Sequence, residues 1–171
     1  WKATEMTKRN QLLGEAFFMR GLYTLWLTQL YGDVPLITAT VITEEMKEEV
    51  SAEEVIYPQI FSDLVSGGNL MGTEKKSGHA NQYVARAFLA RAYMFWAGFY
   101  KKVGDLSTGS VPEVALVEQE GCQGSLTKQQ VVDGLDQIRK SGAYKLLKDY
   151  RSLWQYSNTY VWKEAHDAAL D

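Results

Sequence analysis

The histidines and their acidic neighbours are the first residues in this sequence to test for chemistry. His79 and His166 are the only histidines, and neither lies in the His-Glu-x-x-His spacing that binds zinc. Glu164, His166 and Asp167 place two carboxylates close to an imidazole, a combination suited to a metal site or to acid and base catalysis. Neighbours in sequence fan out from a helix or a loop instead of converging on one point. We therefore interpret these three residues as a solvated polar patch.

Motifs of nucleophilic and phosphate-transferring enzymes are also missing from the sequence. It contains no Gly-x-Ser-x-Gly segment and no glycine loop of the kind that binds phosphate. Cys122 is the one cysteine, so an intrachain disulfide is impossible. We predict a protein that is not an enzyme and has no catalytic residues, no metal and no cofactor.

An aromatic tract near the end of the sequence has the composition of a sugar-binding site. Sugars are recognised by aromatic rings that stack on their C–H faces, while amides and charged groups bind their hydroxyls. Rings and an amide alternate in this tract, and exposed loops commonly carry binding residues. The predicted ligand-binding residues are Trp154, Tyr156, Asn158, Tyr160 and Trp162. Packing alone is the alternative role for such a cluster. Trp26 and Trp96 lie on predicted helix faces, and we expect them in the core.

Composition restricts the class of protein. A length of 171 residues fits one domain. The net charge of -3 and the absence of a basic stripe argue against binding to nucleic acid. The sequence opens without a secretory leader and stops without an obvious closing element, and we expect it to be a fragment of a longer chain.

The first predicted helix is apolar on most of its surface. One stripe at helical spacing contains Leu12, Ala16, Met19, Tyr23, Trp26 and Leu30, and a second contains Phe18, Leu22 and Leu25. We expect this helix in the core, ended by Gly32 and kept from resuming by Pro35. Arg20 on this helix and Arg91 further on are expected to pair with carboxylates such as Glu15 or Asp33.

Three further helices follow. A Ser51-x-x-Glu54 capping box predicts a helix that ends before Gly67 and Gly68 and either kinks or begins near Pro58. Asn81 is a predicted N-cap for an alanine-rich helix that continues to Phe99. The last helix is predicted from Thr127, with Gln130 at the box position, to Lys140. The glycine-containing stretch 101–126 is either a functional loop or a mobile excursion.

Three separated motifs of the sequence belong to one pattern. The first is Glu15-Ala16-Phe17-Phe18-Met19-Arg20-Gly21 followed by Leu30-Tyr31-Gly32-Asp33-Val34-Pro35-Leu36. The second is Ser77-Gly78-His79-Ala80-Asn81 followed by Ala87-Phe88-Leu89-Ala90-Arg91-Ala92-Tyr93. The third is Ser141-Gly142-Ala143-Tyr144-Lys145-Leu146, through Asp149-Tyr150 to Leu153-Trp154. In their order and spacing, across most of the chain, they resemble the motifs of the SusD/RagB outer-membrane lipoproteins.

The resemblance implies an all-α fold of tetratricopeptide-like helix pairs with long loops, here a single domain over residues 1–171. It also implies a lipid-anchored protein on the outer face of the outer membrane of Bacteroidota, with the anchor outside this chain. Members bind glycans or peptides and deliver them to a SusC-like TonB-dependent transporter, without covalent chemistry.

One departure from the family pattern concerns an ion pair. His79 stands where the family usually has arginine, so any salt bridge of that arginine is in question. The alternative function from the residues is a tetratricopeptide-like scaffold that binds a protein partner and no small ligand.

Overall fold

The computed structural model describes residues 3–146, most of which are helical. The helices are α1 (Ala3–Tyr31), α2 (Glu44–Glu48), α3 (Glu53–Leu70), α4 (Gln82–Phe99) and α5 (Lys128–Ser141), and the strands β1 (Val114–Ala115) and β2 (Ser125–Leu126) pair antiparallel. The chain divides into a unit of residues 1–137 and a unit of residues 138–171. Of the second unit the structure describes 138–146, where α5 ends and a turn follows. The all-α fold expected from the sequence is confirmed.

Helix α3 forms the centre of the first unit, with α1 on one side and α4 on the other. Both neighbours run antiparallel to α3, since Arg20 of α1 meets Asp63 and Trp96 of α4 meets Glu53. The side chains that α3 contributes to the core are fully buried, and they include Ile56, Tyr57, Ile60, Phe61 and Leu64. The hairpin of α3 and α4 is the helix pair that the alanine-rich sequence predicts, because small residues allow close helix packing.

The buried face of α1 is not the one formed by the longer apolar stripe. Phe18, Leu22 and Leu25 are buried against α3, together with Gly14, Gly21 and Thr28. The outer face of α1, defined by Leu12, Ala16, Met19, Tyr23, Trp26 and Leu30, is exposed. Tyr23 is 53% exposed and Leu30 76% exposed, and the Tyr23 and Trp26 rings contact each other edge to face. The prediction that Trp26 lies in the core is therefore wrong for the described residues, whereas Trp96 is buried as expected.

The predicted limits of α3 are also wrong at both ends. Ala52 is the N-cap and makes no side-chain cap, while Ser51 forms a β-bridge with Val34. The helix accepts Pro58 inside its first turns and continues past Gly67 to Leu70. A Cβ at position 67 would lie 3.1 Å from the Gly14 carbonyl oxygen, so glycine serves here for close contact with α1 and not for ending the helix.

The caps of α4 and α5 agree with their predictions. The Asn81 side chain accepts a hydrogen bond from the Val84 backbone N–H at 3.1 Å. The Thr127 hydroxyl accepts one from the Gln130 N–H, and the Gln130 side chain accepts one from the Thr127 N–H at 2.7 Å. Within residues 3–146, no helix is both long enough and apolar enough to cross a membrane.

Candidate functional site

The ligand residues predicted from the sequence lie outside the described part of the chain. They are Trp154, Tyr156, Asn158, Tyr160 and Trp162, and the polar patch of Glu164, His166 and Asp167 lies outside it too. Within the described residues the structure offers a different candidate, which no motif of the sequence marks.

This candidate is a cleft of about 630 Å³ bounded by α3, α4, α5 and the segment 116–126. Buried apolar side chains form its floor, among them Leu64, Leu89, Leu126 and Val131. Its polar lining consists mainly of amides and one guanidinium, from Asn69, Arg86, Gln119, Gln123, Gln130 and Gln137. An apolar pocket with a few converging polar groups is the usual form of a small-molecule site.

A buried hydrogen-bond network holds the segment 116–126 on α3. Asp63, which is 1% exposed, accepts hydrogen bonds from Gln59 and Gln119, each at 2.9 Å. Gln119 also donates to Ser66 at 2.9 Å and accepts from Gln59 at 3.0 Å. Because its amide is fully engaged, Gln119 shapes the cleft wall and has little capacity left for a ligand.

Two backbone contacts complete the attachment of this segment. The Val117 N–H donates to the Ser62 hydroxyl at 2.8 Å, and the Asn69 amide donates to the Gly121 carbonyl at 2.9 Å. The sequence left open whether stretch 101–126 is a functional loop or a mobile excursion. In the structure, residues 116–122 of this stretch are held on α3 and form a wall of the cleft. A role for the stretch in binding stays a prediction.

The amides of Gln123 and Gln137 are the uncommitted polar groups of the cleft. Both are exposed, and neither makes a hydrogen bond to another residue in the described part of the chain. The Gln130 side-chain oxygen is engaged in the α5 cap, which leaves its NH₂ group available. An amide offers both a donor and an acceptor, and this suits it to a sugar hydroxyl or a peptide group.

Arg86 is the charged residue of the cleft. Its side chain is half-buried, and within residues 3–146 no carboxylate lies within salt-bridge distance of its guanidinium. Burial lowers the pKa of Arg86, since removal from water disfavours the charged form. The group nevertheless remains a cation at physiological pH, as arginine does in proteins.

The cleft contains a thiol, but the thiol is not set up as a nucleophile. Cys122 is buried, and burial raises the pKa of its thiol above the ordinary value. The reactive form of cysteine is the thiolate, so a raised pKa keeps this side chain unreactive. Among residues 3–146 no group of three or more His, Cys, Asp or Glu side chains is arranged to hold a metal ion.

Of the two arginines singled out from the sequence, Arg20 is paired with a carboxylate and Arg91 is exposed. Arg20 does pair with a carboxylate, but its partner is Asp63 and neither Glu15 nor Asp33. Arg91 is exposed and lies 5.9 Å from the Phe88 ring centroid, with no carboxylate partner among the described residues. No signal in the sequence distinguishes Arg86 from Arg91, because each lies between two alanines of the same helix.

Glu15 and His79 connect two of the sequence motifs. The His79 Nδ1 atom lies 2.9 Å from a Glu15 carboxylate oxygen, and the Gln11 amide donates to the same carboxylate at 2.7 Å. Position 79, where the family usually has arginine, thus contacts a carboxylate through a histidine.

Fold and cleft together define a helical protein with a cleft that presents amides and a guanidinium above an apolar floor. A sequence model of the family SusD-like_3, described as "Starch-binding associating with outer membrane", matches residues 2–94. The chain belongs to this SusD-like family, as its motifs predict. The match contains the first two motifs and Arg86, while the third motif and α5 lie beyond it.

Comparison with curated proteins and with solved structures gives no match to this chain. Family membership thus rests on the sequence model, whose description gives a starch-binding function and a location at the outer membrane.

Proposed function

We propose that this chain belongs to a lipoprotein on the outer face of the outer membrane of Bacteroidota, of the SusD/RagB type. It binds glycans, or alternatively peptides, and passes them to a SusC-like TonB-dependent transporter without changing them chemically. The lipid anchor lies outside this chain. The observation that carries the proposal is the family match over residues 2–94.

The chemistry of the cleft supports a binding function. Its free amides and guanidinium are the groups that bind hydroxyls and anions, and its thiol is kept unreactive by burial. The aromatic tract of Trp154, Tyr156, Asn158, Tyr160 and Trp162 is proposed as a second part of the ligand surface, where rings stack on sugars.

Binding of the purified chain to starch, other polysaccharides and peptides, followed by calorimetry, tests the ligand class. We expect at least one glycan to bind, and Trp162→Ala and Tyr156→Ala to weaken binding by about tenfold, on the order of one lost stacking contact. Tyr31→Ala is the matched control, because Tyr31 is an exposed ring on α1. If all three variants lost the same amount of affinity, the aromatic tract would not be part of the binding site. Turnover of a bound glycan would overturn the proposal of a non-enzymatic function.

Delivery to a transporter needs a separate experiment. The full-length protein, with its own leader, is expected to localise to the outer membrane and to co-purify with a TonB-dependent transporter encoded beside it. Recovery of the protein in the soluble periplasmic fraction, or without any transporter, would contradict this part of the proposal.

One observation favours the alternative, a helical scaffold that binds a protein and no small ligand. The outer face of α1 exposes Met19, Tyr23, Trp26 and Leu30, and contiguous exposed apolar surface commonly marks a protein contact. Under this alternative no glycan or peptide in the panel binds, while Trp26→Ala weakens capture of a protein partner.

A further inference from the structure

The cleft of the first unit carries one sign of charge. Arg86 is the one charged residue among the described side chains that line it, and the remaining polar groups are amides, a hydroxyl and a thiol. A low-dielectric cleft with a single cation attracts anions and repels cations. The charge of the lining therefore favours an anionic ligand over a cationic one.

Two glycine positions face the aliphatic stem of Arg86. A Cβ on Gly68 of α3 would lie 3.5 Å from Arg86 Cγ, and a Cβ on Gly134 of α5 would lie 3.8 Å from Arg86 Cβ, Cγ and Cδ. These are ordinary van der Waals distances for an added side-chain carbon, so the two glycines leave room beside the stem.

The charge of Arg86 is uncompensated within the described residues. A half-buried guanidinium is usually paired with a carboxylate, as Arg20 is paired with Asp63 at 2.6 Å. Arg86 has lost part of its hydration without gaining such a partner, and this is the situation in which an incoming anion gains most from a two-point hydrogen bond.

We propose that this cleft binds an acidic saccharide, with the ring carboxylate or sulfate on Arg86 and the neighbouring hydroxyls on the amides of Gln123 and Gln137. The inference rests on the proposed glycan-binding function and names the ligand class of this site. The anion sets the orientation of the sugar, and the apolar side chains of Leu89 and Val131 face its C–H groups.

Calorimetry on the complete chain with matched ligands tests the charge preference. Oligogalacturonate is compared with the same oligosaccharide fully methyl-esterified, which has the same ring and no charge, and with a neutral malto-oligosaccharide of equal length. We expect the acid to bind at least tenfold more tightly than its ester. A sulfated oligosaccharide in the same experiment shows whether the cleft prefers a sulfate or a carboxylate. Tighter binding of either acidic ligand than of the neutral ones supports the inference.

Variants then assign the preference to the cleft. Arg86→Gln is expected to reduce binding of the acid at least tenfold and to leave the ester unchanged, while Arg91→Gln, on the exposed side of the same helix, changes neither. Gln123→Ala and Gln137→Ala change exposed residues, so folding is preserved, and they should weaken acid and ester alike by about threefold to tenfold, the order of one lost hydrogen bond. Circular dichroism verifies that Arg86→Gln is folded.

The outcomes separate failure of this inference from failure of the proposed function. Tight binding of neutral glycans, with no preference for the acid or no effect of Arg86→Gln, overturns the inference and leaves glycan binding intact. Binding of no glycan at all overturns both. A peptide with a free C-terminal carboxylate that binds through Arg86, when no acidic saccharide does, would also overturn the inference.

Discussion

Arg20 of α1 and Asp63 of α3 form a two-point ion pair across the helix layer. Arg20 Nε lies 2.8 Å from Asp63 Oδ2, and Arg20 Nη2 lies 2.6 Å from Oδ1. The pKa of Arg20 is raised, mainly because of the hydrogen bond to Asp63. Since Asp63 also accepts from Gln59 and Gln119, one buried carboxylate joins α1, α3 and the wall of the cleft.

Removing the cation from this pair is expected to destabilise the fold. Arg20→Met keeps the aliphatic stem but leaves Asp63, which is 1% exposed, without its positive partner. We expect the free energy of unfolding to fall by about 3 kcal/mol, the usual cost of breaking a buried pair on one side. Urea denaturation measures this loss.

The control for this prediction is Arg91→Met on the exposed face of α4, which should change stability by less than about 0.5 kcal/mol. The double variant Arg20→Met with Asp63→Asn should recover part of the loss, because no charge is then left buried. Strictly additive losses would show that the two residues do not interact.

Helix α1 shows what the sequence determines and where it is ambiguous. Its stop at Gly32 follows from local residues, and the αL conformation of Gly32 (φ 76°) is the one predicted. Its orientation does not follow from hydrophobicity, because two apolar stripes compete. Gly14 and Gly21 lie on the buried face, so the small residues that permit close approach marked the correct side.

Long-range contacts are the second feature that the sequence alone does not determine. That Arg20 is paired could be predicted from burial of a charge, but its partner is 43 positions away and depends on the register of α1 on α3. The cleft has the same origin, because Arg86, Gln123 and Gln137 line one cleft only after α3, α4, α5 and the segment 116–126 pack together. The caps of α4 and α5, in contrast, were predictable because their donors and acceptors lie within one helical turn, although the capping box predicted for α3 does not form.

Two glycines in helices are expected to respond oppositely to alanine. Gly67→Ala places a Cβ 3.1 Å from the Gly14 carbonyl oxygen and 3.2 Å from Phe18 Cβ, so α1 and α3 must separate. A loss of about 1–3 kcal/mol is expected from this overpacking. Gly98→Ala meets no atom within 4 Å and should stabilise α4 by up to about 1 kcal/mol, because alanine loses less backbone entropy.

Thermal and urea unfolding of the two glycine variants measure this difference under identical conditions. If Gly67→Ala were as stable as the parent chain, the close contact between α1 and α3 would be contradicted.

The raised pKa of Tyr57 leads us to expect that the protein loses stability at alkaline pH. Burial is the main reason why its pKa is raised from 10.0 to about 12, and the nearby Thr28 hydroxyl offsets part of this effect. The folded state therefore favours the protonated phenol. The stabilisation by the protonated phenol is fully present below pH 10, which is the tyrosine pKa in the unfolded chain. It is lost as the pH rises through 12, and the free energy of unfolding then falls by about 2–3 kcal/mol in total.

Urea denaturation between pH 8 and pH 11.5 measures the alkaline dependence of unfolding, over a range chosen around the ordinary tyrosine pKa of about 10. Tyr57→Phe is expected to flatten the curve, and Tyr23→Phe, which removes a hydroxyl from an exposed ring, to leave it unchanged. The raised pKa values of Tyr93 and Tyr100 leave a smaller residual slope in the same direction. A slope that is identical in the parent and in Tyr57→Phe would rule out this assignment.

The contact between His79 and Glu15 predicts that arginine is accepted at position 79. The Nδ1 atom lies 2.9 Å from Glu15, and His79 is partly exposed, so a longer cation has room to reach the same carboxylate. His79→Arg is expected to raise the free energy of unfolding by about 0.5 kcal/mol, the scale of a surface ion pair, and to lose the gain in 1 M salt. His79→Gln retains a hydrogen-bond donor without charge, and its stability should not depend on salt in this way. A destabilised His79→Arg variant would show that the loop before α4 is shaped around the imidazole and not around a positive charge.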